Sequence, residues 1–321
     1  MADIKQIIEL YGILCEKPRL LPYNDVRTSY LINDEYILEM STTEFLTDNK
    51  VSLINKLVDR YKEYGLLAPK YIKNNEGNYV YFDETNYYVI HEYINETLLK
   101  DTKDTKYLNI NKELFKYIGE YSQIYRNKDI MPFRTTHSII DLSPVDSEID
   151  EKQSNLNMLC EMLAKAGFFD LKNKLLKYND RIREELKTFY KKLPRCNYQG
   201  NLTSRSIVIK DNHFAGLTDF TLCGSEVIVN YFSNEARADI SEDEFLVFSA
   251  SEIKNRIING HNKNIKLILE NYAISDEEKK ALELYNKLLF ISGFAYYSVY
   301  KNVLRTKNRN KVVSLLNLLI L

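Results

Sequence analysis

Short β-favouring runs fill the first part of the chain, and helical spacing takes over after it. Arg27-Thr28-Ser29-Tyr30-Leu31-Ile32 and Tyr36-Ile37-Leu38-Glu39-Met40 flank the turn residues Asn33-Asp34, a pattern that predicts a hairpin. From Glu44 to Tyr64, apolar residues at Phe45, Leu46, Val51, Ile54, Leu57, Val58 and Tyr61 recur at helical spacing, with Gly65 as the stop. Strands are expected again at Asn78 to Phe82 and Tyr87 to Tyr93, around the polar turn Asp83-Glu84-Thr85-Asn86. After Asn95 the texture changes. Lys112 to Tyr125, Asn155 to Ala166, Leu171 to Lys191, Ser251 to Tyr272 and Asp276 to Val303 carry helical periodicity with charged faces. Ser206 to Lys210 and His213 to Thr218 interrupt them with a second hairpin signal around Asp211-Asn212. There is no internal repeat and no Pro- or Gly-rich linker, and Glu92-Tyr93-Ile94-Asn95 reads as a hinge.

Composition narrows the function classes. The chain has 321 residues, and its 44 basic side chains nearly cancel 45 acidic ones, so no net field draws nucleic acid or an anionic membrane. The first residues, Met1-Ala2-Asp3-Ile4-Lys5-Gln6, carry an acid and no apolar run behind it, so a cytoplasmic location is expected. Cys15, Cys160, Cys196 and Cys223 are scattered without CxxC spacing, and the four histidines form no metal motif. Neither disulfides nor a structural zinc site is expected. The apolar tail Val312 to Leu321 is about half the length of a membrane span. It predicts a docked terminal helix, with a contact between copies of the chain, hence a homo-oligomer, as the alternative.

The chemistry concentrates in Asn197-Tyr198-Gln199-Gly200-Asn201-Leu202-Thr203-Ser204-Arg205-Ser206-Ile207-Val208-Ile209 and in Phe214-Ala215-Gly216-Leu217-Thr218-Asp219-Phe220. Here the chain resembles the aminoglycoside phosphotransferase and choline kinase family. That family's catalytic loop reads roughly H-G-D-x-x-x-x-N, runs into a β-hairpin and ends at an I-D-F/W metal-binding acid. The resemblance implies an α+β, two-lobed, protein-kinase-like fold. Residues 1–94 would form a small antiparallel-sheet lobe with one long helix, and residues 95–321 a larger, mainly helical lobe holding the catalytic-like loop 197–220. It also implies ATP and Mg²⁺ as cofactors.

Residue by residue the match is uneven. Gly200 stands where the loop glycine belongs, but Gln199 replaces the histidine and Asn201 occupies the position of the catalytic aspartate. Ser206 replaces the magnesium-binding asparagine, and Asp219 is the surviving metal acid. Where the third strand of the family carries its ATP-phosphate lysine, this chain has Glu39, and Leu21 to Val26 contains no glycine-rich phosphate loop. An amide cannot act as the general base, a role worth about 10²–10⁴ in rate. A serine hydroxyl can still ligate Mg²⁺. Exchanging lysine for glutamate at about 4 Å changes the phosphate interaction by several kcal/mol at an effective dielectric near 20.

Arg205 and Arg27 are nearby cations able to compensate, although the pattern favours solvated surface arginines. For Asp219 a turn-capping role stands beside metal binding, and for Asn201 a loop-holding role is the plainer reading. The acidic residues Glu235, Asp239, Glu242, Asp243 and Glu244 fit a solvated helix face better than a pocket for a cationic ligand. Together these residues predict a pseudokinase-like protein with weak or no phosphotransfer that binds a small molecule or a partner protein. The alternative is an active small-molecule phosphotransferase using Asp219 and Mg²⁺.

Overall fold

Left-handed backbone at Asn33 and Asp34, with φ of 52° and 56°, turns the chain back on itself where the hairpin is expected. The computed structural model describes residues 3–22, 27–99, 105–141, 148–200 and 202–321. In chain order the elements are α1 (Ile4–Leu10), β1 (Arg19–Leu20), β2 (Thr28–Ile32), β3 (Tyr36–Ser41), α2 (Asp48–Glu63), β4 (Val80–Phe82), β5 (Tyr87–Glu92), β6 (Thr97–Leu98) and α3 (Thr105–Ile124). There follow α4 (Glu151–Lys165), α5 (Phe169–Lys187), β7 (Arg195–Tyr198), β8 (Ile207–Lys210), β9 (His213–Leu217) and β10 (Gly224–Val227). The chain ends with α6 (Ile228–Glu235), α7 (Glu244–Val247), α8 (Ala250–Leu269), α9 (Asp276–Ser292), α10 (Phe294–Val303) and α11 (Arg309–Leu319). Packing divides it into two compact units, Met1–Ile110 with Asn201–Cys223, and Asn111–Gly200 with Gly224–Leu321. The boundary after residue 94 marks the change of texture in the sequence; by packing, the first unit runs on to Ile110 and takes in 201–223.

In the first unit five antiparallel strands form a sheet in the order β1-β2-β3-β5-β4. Period-two alternation sorts its side chains between two faces. Tyr30, Leu38 and Ile90 share a row on one face and pack against Ile7 and Ile8 of α1 and Tyr11 just after it. The other face carries the row Ser29, Glu39 and Val89 and, beside it, Leu31, Ile37 and His91. α2 buries Val51, Ile54, Leu57, Val58 and Tyr61, which is the predicted stripe. Thr47 caps it by accepting from the Lys50 amide at 3.2 Å.

A second sheet, β6-β8-β9, belongs to the same unit. The main chain at Leu67 locks β9 in place, its N–H donating to Ala215 and its carbonyl accepting from Leu217, both at 2.9 Å. Gly216 permits this approach, because a Cβ there would lie 2.1 Å from the Leu67 carbonyl oxygen.

The second unit is mainly helical, with β7 and β10 as an antiparallel pair. Its core joins α4, α5 and α8 through α11, including Leu159, Leu175, Ile257, Leu289 and Tyr300. One expectation needed correction here, and one helix had not been expected. The helix expected over Asp276 to Val303 is two helices, broken where Gly293 adopts an extended ψ of 140° and where a Cβ would come 2.6 Å from Leu289 Cδ1. α6 was not foreseen: it is only eight residues long, and its polar side chains Asn230, Ser233, Asn234 and Glu235 are buried with the apolar ones. The terminal helix α11 is docked, with Val312, Leu315 and Leu316 in the core of this unit. Among the described residues no helix is long and apolar enough to cross a membrane, and the four cysteines are free thiols.

Candidate functional site

Glu39 lies on β3, and because its row faces away from α1 its carboxylate points to the open face of the sheet. Arg27, one residue before β2, is on the same face as Ser29. Its guanidinium donates to Glu39 Oε2 at 2.8 Å and to the Thr221 hydroxyl at 3.1 Å, and its other terminal nitrogen stands 3.7 Å from Asp219 Oδ1. Arg27 also lies 5.1 Å above the centre of the Phe45 ring. The side chains of Arg27 and Glu39 are only 12% and 13% exposed, whereas Asp219 is 55% exposed. The expectation of a solvated Arg27 is therefore overturned. It reaches inward because an almost buried carboxylate requires a partner. Arg205, by contrast, is exposed.

The hairpin β8–β9 delivers Asp219. Residues Asp211 and Asn212 make its turn with φ of 51° and 65°. After β9 the Thr218 amide donates to the Ser206 carbonyl at 2.8 Å, Asp219 itself takes φ of 54°, and Phe220 packs edge-on against Tyr61 of α2 at 5.2 Å. Asp219 Oδ1 accepts from the Thr221 hydroxyl at 2.6 Å and from the Thr221 amide at 3.3 Å. This is the local turn geometry that an Asx residue supports, and it leaves the carboxylate facing outward.

Ser206 is buried. Its hydroxyl donates to the Thr203 carbonyl at 3.1 Å and accepts from the Thr203 amide at 2.9 Å, closing a turn. Gln199 is buried in the second unit, beside Gly200 at φ of 97°. Asn201 lies outside the described residues, as does 23–26 of the segment expected to lack a phosphate loop.

A cavity of about 250 Å³ opens at this face. Arg27, Glu39 and Asp219 form its polar end, and Ile37, Pro69 and Tyr71 contribute apolar wall. Burial, reinforced by the carboxylates of Glu39 and Asp219, pushes the Tyr71 phenol well above its ordinary value. Burial alone would lower Arg27, but Glu39 and Asp219 outweigh it and the guanidinium is held above its usual value. Cys223 is pushed up to about 12, chiefly by burial, and Lys50 on α2 is lowered by burial despite the Cys223 thiol beside it. The inner group of Arg27, Glu39 and Asp219 thus carries one cation and two carboxylates.

Among the described residues the donors do not form a preassembled metal cluster. No group of three His, Cys, Asp or Glu side chains among the described residues could hold a metal ion. The Ser206 hydroxyl is committed to Thr203, and Asp219 already faces a guanidinium. Mg²⁺ often needs only one or two carboxylates beside phosphate oxygens, and Asp219, more than half exposed, is the carboxylate open to that use.

The second unit gathers its polar groups internally. Glu226 accepts from the hydroxyls of Thr135 at 2.6 Å and Ser138 at 2.7 Å and from Asn230 at 3.0 Å. Lys152, buried and consequently lowered, donates to Asn234 at 2.9 Å. Contrary to the reading of a solvated acidic face, Glu235 is buried, 3.1 Å from His137 and 3.7 Å from Arg237, while Glu244 pairs with Arg256 at 2.8 Å. Asp239, Glu242 and Asp243 are exposed.

No protein-family model and no curated protein matches this sequence. Its fold does match solved structures. Amicoumacin kinase hAmiN in complex with AMP-PNP, Ca²⁺ and Ami aligns at a TM-score of 0.55 and 12% identity, covering 99% of this chain and 93% of that one. Spectinomycin phosphotransferase APH(9)-Ia in complex with ADP and spectinomycin aligns at a TM-score of 0.55 and 10% identity, covering 99% and 98%. At such identities the likeness is one of fold. The chain has the α+β, protein-kinase-like fold of aminoglycoside phosphotransferases and related small-molecule kinases, with an antiparallel-sheet N-terminal lobe and a larger helical lobe.

Proposed function

We propose that the protein is a pseudokinase-like binding protein of this fold, with weak or no phosphotransfer, whose ligand is a small molecule carrying a nucleoside-sized group. The observation that supports this most directly is the ion pair between Arg27 and Glu39, with Asp219 alongside. In the reading from family resemblance, Glu39 stands at the phosphate-binding position and Asp219 at the metal-binding one. Here both are turned towards the same guanidinium, so ground-state binding of a metal–triphosphate first has to disrupt that arrangement. With an amide at Asn201, proton acceptance from a substrate hydroxyl is lost as well. The nucleoside part of the reading rests on the fold, since the two kinases above are complexes with AMP-PNP and with ADP.

A second reading, an active phosphotransferase using Asp219 and Mg²⁺, is favoured by one observation: the Asp219 carboxylate is more than half exposed beside the cavity. A thermal-shift titration with ATP, ADP and GTP, each with and without Mg²⁺, separates the two on wild type and Asp219→Ala. The binding reading expects no Mg²⁺-dependent stabilisation and no nucleotide turnover. Stabilisation by Mg²⁺-nucleotide that Asp219→Ala abolishes, together with turnover, would establish the second reading. A ligand at one hundred times its Kd raises stability by about 2.7 kcal/mol, which such a titration detects.

A further inference from the structure

We infer that the cavity of the first unit selects an uncharged nucleoside over its phosphorylated forms, the reverse of what a kinase site needs. The inference rests on the binding reading above and adds the charge class of the ligand. Arg27 is the cation nearest the polar end of the cavity, and it is held by Glu39 at 2.8 Å and faces Asp219 at 3.7 Å. The two further carboxylates on the lining, Glu92 and Glu96, are matched by Lys62 at 2.8 Å and Lys210 at 2.9 Å. The outer pairs are therefore neutral and the inner group keeps one net negative charge. A phosphate that takes Arg27 for itself leaves Glu39, only 13% exposed, without its counter-charge. A phosphate that does not is repelled by two carboxylates.

Hydroxyl and amino groups meet the opposite situation. They donate to the carboxylates of Glu39 and Asp219 without displacing Arg27, because an ionised carboxylate has several acceptor sites. The remaining wall, with Leu21, Ile37, Pro69, Tyr71 and Leu98, suits the faces of a flat ring. At about 250 Å³ the cavity falls just below the roughly 300–1,000 Å³ of drug-sized sites. A base with its sugar matches that size better than a nucleotide with a phosphate chain.

The test is calorimetric titration of the full chain with adenosine, guanosine, ADP and GDP, without added metal, at low and at high salt. One of the nucleosides should bind at least tenfold tighter than its diphosphate, a difference of about 1.4 kcal/mol. The gap should shrink at high salt, because it arises from charge repulsion. Glu39→Gln and, as a variant at an exposed position, Asp219→Asn should each narrow the gap several-fold by removing one carboxylate. A diphosphate that binds as tightly as its nucleoside overturns the inference and leaves the binding reading standing. If none of the four binds at millimolar concentration, the nucleoside-binding reading itself falls, and the inference with it.

Discussion

Replacing Arg27 by glutamine tests whether an inward-facing ion pair organises this site. The mutation removes the guanidinium that holds Glu39 at 2.8 Å, and both side chains are close to seven-eighths buried. Removing one member of a buried pair typically costs about 3–5 kcal/mol, against roughly 0.2–1 kcal/mol for an exposed pair. A Coulomb estimate at about 4 Å between charge centres and an effective dielectric near 20 gives about 4 kcal/mol, which falls in the buried range. Contact with the Phe45 ring adds on the order of 1 kcal/mol, partly regained by the glutamine amide. Arg27→Gln should therefore destabilise the first unit by about 3 kcal/mol. Glu39→Gln should cost about half as much, because Arg27 keeps Asp219 and the Thr221 hydroxyl. The double variant should cost less than the sum by about 2 kcal/mol. Urea denaturation followed by tyrosine fluorescence and far-UV circular dichroism suits a chain with 25 tyrosines and no tryptophan. At a slope near 3 kcal/mol/M the Arg27→Gln midpoint moves by about 1 M. Additive effects, or a loss below about 1 kcal/mol for Arg27→Gln, would refute the argument and return Arg27 to the solvent.

Three further outcomes are expected. Burial lowers His261 to about 4 from its ordinary 6.5, so the unfolded chain binds the extra proton between those values. Stability is then full above about pH 6.5 and falls by about 3 kcal/mol as the pH drops towards 4, a slope that His261→Gln should flatten in pH-dependent denaturation. Gly216→Ala drives a methyl group into the Leu67 carbonyl and should cost about 3 kcal/mol, measured by the same denaturation; a neutral result would mean that β9 is not held there. Leu316→Ala, in the core of the second unit, should cost about 2–5 kcal/mol by thermal denaturation while leaving the elution volume in size-exclusion chromatography unchanged. An altered elution volume would return the tail to the role of a contact between copies.

The hairpins were legible because their turns need residues that tolerate positive φ, and Asn33-Asp34 and Asp211-Asn212 supply them. α2 was legible from its apolar stripe and its stop at Gly65, but not its start: the helix expected from Glu44 begins at Asp48, where Thr47 caps it. α6 was not legible: it spans only eight residues with no side-chain cap at its start, too short a run to set apart from the strand β10 that leads into it. The break at Gly293 was missed because the apolar spacing continues across it, and only the proximity of Leu289 requires the glycine. Glu39 and Asp219 were singled out by the family resemblance, and they lie on the lining of one cavity. The pairing of Arg27 could not be foreseen. It depends on antiparallel register with β3 and on a residue from a distant hairpin, and no local pattern records either.

The first unit is built from two pieces of chain, and synthesis delivers them at different times. At roughly 5–20 residues per second, making the intervening segment Asn111–Gly200 takes on the order of 5–20 s. Through that interval Arg27 and Glu39 can already pair across their own hairpin, but β6 has no β8 beside it and the peptide groups of Leu67 have no β9 to bond. A nascent chain stopped before residue 201 therefore displays an open strand edge, which is a template for unwanted pairing. Emergence of Asp219 and its hairpin closes that edge, so the residues that complete the cavity also end the period in which the N-terminal part of the chain exposes an unpaired strand.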